Sequence, residues 1–206
     1  MRTPNEYIDK TIKYTVNIKE IDGNGIVDAI IIMRDKTREK PPIIGYIGVR
    51  MVALYYEPGD TYVVADSLSL TLGQEIAFLL RTKEVKCLYD KKRNRKGYLT
   101  YLFNYIGHIY QFDLLEEYQG KGIEEYFLDN LGYIIQDKKK SIYMYGATFY
   151  IAGKNCDKEA IYIDFCRNRK FEAPIKEEAV MKCDRFRIAE WNGAYYSYAI
   201  YGTSFE

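Results

Sequence analysis

The chain carries a single histidine, His108, and four dispersed cysteines, Cys87, Cys156, Cys166 and Cys183. His108 lies in Tyr105-Ile-Gly-His-Ile-Tyr-Gln-Phe-Asp-Leu-Leu115, a β-branched and aromatic run of strand length. Regular alternation would put positions 108, 110, 112 and 114 on one face of that strand and Asp113 on the other. An imidazole there can serve as a general base, because its ordinary pKa of about 6.5 lets it take a proton near neutrality. A strand histidine can equally be structural. Next comes Tyr118-Gln-Gly-Lys-Gly-Ile123, after which Ile123, Phe127, Leu131 and Ile134 recur at helical spacing. A glycine-rich turn between strand and helix gathers unpaired backbone N–H groups at the positive end of the helix dipole, which suits a phosphate. An ordinary strand–turn–helix connection would use the same residues.

Glu-Glu-Tyr-Gln-Gly-Lys-Gly-Ile at 116–123, after an apolar strand, resembles the acyl-CoA loop of the Gcn5-related N-acetyltransferases. The family motif is Arg or Gln, two residues, Gly, one residue, then Gly or Ala. Gln119 and Gly122 match it, and Glu124 stands at the last position. The resemblance implies that Gln119, Gly120, Lys121, Gly122, Ile123 and Glu124 bound the pyrophosphate site of acetyl-CoA, a co-substrate. It also implies that the backbone of Leu114 and Leu115, at a strand end splayed from its neighbour, holds the pantetheine arm. Glu124 departs from the small residue of the family and brings a like charge towards the phosphates. At ~5 Å and an effective dielectric of ~20, two like unit charges repel by roughly 3 kcal/mol. Turned outward, the same side chain would gain a few tenths to ~1 kcal/mol from the helix dipole.

A second family landmark, a short helix with Asn-x-x-Ala, a Tyr and a Gly-Phe pair, is matched imperfectly by Asn155 to Phe171, with Lys170 in place of the Gly. On this alignment Asn155 contacts CoA and Cys166 takes the place of the Tyr that protonates the departing thiolate. Tyr162, one helical turn earlier, is a substitute acid. Read from its residue type alone, Cys166 is a small core side chain. Some family members carry a general base on the strand of His108, which gives that residue its implied role.

Composition narrows the remaining classes. With 206 residues and 48% hydrophobic content, the chain can bury a real core, and one domain over 1–206 is expected. A net charge of +1 gives no general reason for binding nucleic acid or anionic membrane. No apolar run approaches a membrane span, and the first residues lack a signal-peptide core, so a cytoplasmic protein is expected. Scattered cysteines and one histidine predict no metal cluster. Glu20-Ile-Asp-Gly-Asn-Gly25 imitates the opening of a calcium loop, but Ile31 stands where its closing Glu belongs, and a hairpin turn is expected.

The spacing predicts strands over 13–20 and 26–34 around that turn, and a polar loop over 35–42. A long strand follows over 43–57, bent at Gly45 or Gly48. Thr71-Leu-Gly-Gln74 has the form of a capping box, opening a helix through Leu72, Ile76, Leu79 and Leu80. Lys91 to Lys96 reads as a basic turn, which nucleic acid or CoA phosphates would also suit. After a helix over 123–136 come a strand near 142–152, a helix near 158–168, and strands near 177–186 and 193–202. From residue 97 to 186 this order matches the C-terminal half of the resembled family; the first 95 residues, with their leading hairpin, depart from it. The expected fold is α/β (α+β): a mixed, mainly antiparallel sheet flanked by helices. The expected activity is acyl transfer to a small-molecule or peptide amine, with a homodimer allowed. The alternatives are a non-catalytic module of the same fold with a decayed CoA site, and a nucleic-acid-associated protein acting through the basic turn.

Overall fold

The computed structural model describes residues 5–22, 25–55, 58–93, 104–153, 187–191 and 194–201. Seven strands form one sheet: β1 (Ile12–Asp22), β2 (Ile26–Asp35), β3 (Ile43–Ala53), β4 (Asn104–Leu114), β5 (Tyr143–Gly153), β6 (Arg187–Trp191) and β7 (Ala194–Ile200). Their order is β1-β2-β3-β4-β5-β7-β6, and β4–β5 is the one parallel pair. This is the mixed, mainly antiparallel sheet that the patterning predicts. Parallel strands need a crossover, and here α5 (Ile123–Lys138) supplies it.

Two apolar cores lie on the two faces. On one, Phe127, Leu131, Ile134 and Ile135 of α5, with Ile8 of α1 (Glu6–Thr11), pack on Ile31, Ile47, Val49, Met51 and Phe112. Each such side chain, fully buried, contributes about 1.5–3 kcal/mol. On the other, α2 (Pro58–Leu68), α3 (Leu70–Arg81) and α4 (Lys83–Arg93) bury Leu72, Ile76, Leu79, Val85 and Leu88 against Val52, Ile106 and Tyr196.

Several boundaries differ from expectation. The third strand stops at Ala53, and α2 begins at Pro58, a residue suited to the first helical position because its missing N–H has no partner to lose. The cap of α3 is Ser69, whose hydroxyl accepts from the Leu72 N–H at 3.1 Å, rather than Thr71. Lys91 to Arg93 close α4 instead of forming a turn. The helix expected near 158–168 and the strand expected near 177–186 lie outside the described residues.

The face assignment along β4 also needs correction. Gly48 pairs with Gln111 and Val49 with Ile109, so Tyr110 is an extra, bulged residue. The bulge shifts the alternation. Ile109, Phe112 and Leu114 all join the core under α5, while His108 reaches α3 on the opposite face. Asp113 lies on the His108 face, opposite Tyr46, and not away from it.

Candidate active site at the divergence of β4 and β5

β4 and β5 pair only from Asn104↔Tyr143 to His108↔Thr148. Beyond this point β4 continues along β3 to Leu114, and β5 continues along β7 to Gly153, so the parallel seam opens at His108. Alternate residues of an antiparallel strand bond to the same neighbour. The Leu115 N–H donates to the Ile44 carbonyl at 2.8 Å, so the polar groups of Leu114 turn towards the opened seam. There the Leu114 carbonyl accepts from Gln119 Nε2 at 3.0 Å.

At the point of opening, His108 Nδ1 lies 2.6 Å from Oε2 of Glu75 on α3. His108 is 9% exposed and Glu75 1%. Where the carboxylate is ionised it can only accept, so Nδ1–H donates to it, and in that tautomer the ring's lone pair is at Nε2. A buried carboxylate in this position also stabilises the imidazolium formed when Nε2 takes a proton.

His108 belongs to a row of polar residues crossing the whole sheet. Lys19, Asp28, Arg50, His108, Thr148, Tyr198 and Arg187 stand opposite one another on successive strands. Arg50 binds Asp28 through two bonds, Nε to Oδ1 at 2.7 Å and Nη2 to Oδ2 at 2.9 Å, and lies over the Tyr110 ring. The Asp28 carboxylate holds the guanidinium more basic than usual, and burial pushes the Tyr110 phenol up, so it stays a neutral hydroxyl.

The glycine turn begins after a short 3₁₀ segment, Glu116–Tyr118, anchored from below. The buried Tyr118 hydroxyl donates to Asp35 Oδ2 at 2.7 Å, and Thr37 donates to Asp35 Oδ1 through both its N–H and its hydroxyl. These donors hold the Asp35 carboxyl down at about 2. Lys121 Nζ sits 5.2 Å from the Tyr118 ring centroid. Gly120 and Gly122 have positive φ, 66° and 77°, which explains glycine at both places. Ile123 is fully buried in the core.

Glu124 does not turn outward. It is 1% exposed, and its Oε1 accepts from the Gly120 N–H at 3.1 Å. The chain's own carboxylate thus takes one of the amides that would hold a phosphate, at the positive end of α5. A pyrophosphate fits this turn only if Glu124 leaves. At the end of β4 the Leu114 carbonyl is likewise engaged by the chain itself, through Gln119 Nε2.

Asn155, Tyr162, Cys166 and Lys170 lie outside the described residues; His108 stands where the seam opens, and Leu114 with the glycine turn lies at the far end of the same strand. Glu75, Asp28, Arg50 and Thr148 are additional residues of the site. Among the described residues no group of three or more His, Cys, Asp or Glu side chains is placed to hold a metal ion, and no helix is long and apolar enough to cross a membrane. No protein-family model, curated protein or solved structure matches the chain.

Proposed function

We propose that the protein is an acyl-CoA-dependent N-acyltransferase that works at the opened β4–β5 seam. The observation carrying this reading is the buried His108–Glu75 pair at the place where the parallel strands part. It sets an oriented base where the gap begins, on the strand whose far end turns polar groups into that gap. The pantetheine arm pairs with the backbone near Leu114, and the thioester lies towards His108. The acceptor amine attacks the thioester carbonyl; a C–N bond forms and the C–S bond breaks. His108 Nε2 takes the amine proton, directly or through water, while Glu75 keeps the ring in register. The departing thiolate takes a proton from Cys166 or Tyr162, the acids that the family resemblance offers. Most of the acceleration comes from positioning.

Glu124 favours a second reading, a non-catalytic module of the same fold whose phosphate cradle is filled by its own carboxylate. Thermal unfolding with acetyl-CoA separates the two. A ligand at 100 times its dissociation constant adds ~2.7 kcal/mol, and the transferase reading expects a rise of that order. No shift with acetyl-CoA, desulfo-CoA or longer acyl-CoA ends that reading. Binding that appears only in Glu124→Gly establishes the second.

A further inference from the structure

The sheet face carrying His108 changes character along β3 and β4. Towards Val52 and Ile106 it is apolar and covered by α2, α3 and α4. On the far side of the Asp28–Arg50–His108 row it presents Ile30, Tyr46, Tyr110, Gln111 and Asp113. Ile30 is 40% exposed. Gly48, between Ile30 and Gln111, lets the Tyr110 ring lie across the strand: a Cβ at Gly48 would meet the ring at 2.5 Å. At the end of this corridor stands Asp113, 4% exposed. Its Oδ2 accepts from Gln111 Nε2 at 2.9 Å, and the same Nε2 donates to the Tyr46 hydroxyl at 3.1 Å. Its Oδ1 is buried with no hydrogen-bond partner among the described residues. Leaving a buried acceptor without a donor costs about 1–3 kcal/mol, and more for a charge. Asp28, on the same face, has both oxygens engaged by Arg50, which also neutralises that cation for anything approaching His108.

We infer that Asp113 recognises a second cationic group on the acceptor, so that the acceptor is a linear amine with a positive charge at each end. The role of His108 in this inference rests on the acyl-transfer reading; the diamine site itself does not. Arg50, opposite His108, lies four steps along β3 from Tyr46, opposite Asp113. At ~3.4 Å per step this is ~14 Å, the reach of a long-chain alkyl diamine. The aromatic rings and Ile30 line the methylene chain, and Asp113 supplies the donor-seeking oxygen for the distal ammonium.

Calorimetric titration with diaminooctane and with aminooctane, in the absence of acetyl-CoA, tests the site. The diamine should bind about 10-fold or more tightly than the monoamine, and Asp113→Asn should abolish that preference. Ile30→Lys, at an exposed position, places a cation in the corridor and should weaken the diamine by a similar factor, so it reads the site even where Asp113→Asn fails to fold. Equal binding of diamine and monoamine, or a preference unchanged in both variants, overturns the inference. Acetyl-CoA binding measured on the same samples keeps the two readings apart. A CoA shift without diamine preference sinks the acceptor assignment alone, whereas diamine preference without a CoA shift sinks the transferase and leaves the diamine site.

Discussion

Burial makes His108 and Glu75 depend on each other. Removing one partner strands a polar or charged group in a dry interior, while replacing both with apolar groups removes the penalty together with the bond. Glu75→Leu and His108→Leu should each cost about 3 kcal/mol, and the double variant clearly less than the sum; urea unfolding of the four proteins measures this coupling. Asp35 makes a separate demand. Its carboxyl is held near 2, below its ordinary 3.8, by Thr37 and Tyr118. A depressed carboxyl stabilises the fold above its unfolded value and loses that contribution as pH falls through the folded one. The stability difference between wild type and Asp35→Asn should therefore be constant above 3.8 and shrink steadily towards about 2, as read by unfolding across that range. His108 was visible in the sequence as the only histidine. Its partner was not, although a trace exists: Glu75 falls on the buried stripe of Leu72, Ile76 and Leu79, where a carboxylate is costly unless paired. Spacing alone does not say which strand residue the stripe meets.

At the scale of elements, strands with a plain period of two were legible, and so was α5, whose apolar stripe runs from Ile123 through Ile134. α2 was not. It buries only Thr61 and Ala65, and Tyr62, Val63 and Leu68 remain exposed, so no helical stripe marks it. The β4 bulge is illegible for a different reason. An extra residue leaves composition unchanged and inverts every inside–outside assignment after it, as Phe112 and Leu114 show against Asp113. Close approach of elements also leaves a glycine signature. A Cβ at Gly45 would lie 2.3 Å from the Asp113 carbonyl oxygen, which is backbone and cannot swing aside. At Gly122 a Cβ would meet only Asn5 Nδ2, at an ordinary contact distance of 3.9 Å, so the cost there is that of its left-handed φ of 77°. Gly45→Ala should thus cost more, about 3 kcal/mol or above, than Gly122→Ala at about 1–2 kcal/mol. Thermal melts of the two variants check the order; equal losses would mean that β3 and β4 can slide apart at little cost.

Across the whole molecule, the parallel seam is the joint between two antiparallel blocks, β1–β4 and β5–β7. It is short, five residue pairs ending at His108↔Thr148, and it carries the candidate chemistry at its open end. Each block keeps long antiparallel pairings of its own, and α5 bridges them: Phe127 meets Tyr14 of β1 edge-on, and the Tyr201 hydroxyl donates to the Leu128 carbonyl at 2.7 Å. The molecule can therefore hold a gap in its sheet without losing either core, which is the mechanical requirement for placing an extended ligand between two strands. Such a ligand would complete the sheet by bonding to backbone groups that the divergence leaves facing the gap, as a guest strand does. Amide exchange reads this directly. Tyr105 and Gly107 face paired β5, whereas Phe112 and Leu114 face the gap, so in the ligand-free protein the latter two should exchange faster although all four belong to one strand. Acetyl-CoA should slow Phe112 and Leu114 and leave Tyr105 and Gly107 unchanged. Uniform slowing of all four would mean that the ligand stabilises the fold from elsewhere, and the seam would lose its claim to the pantetheine arm.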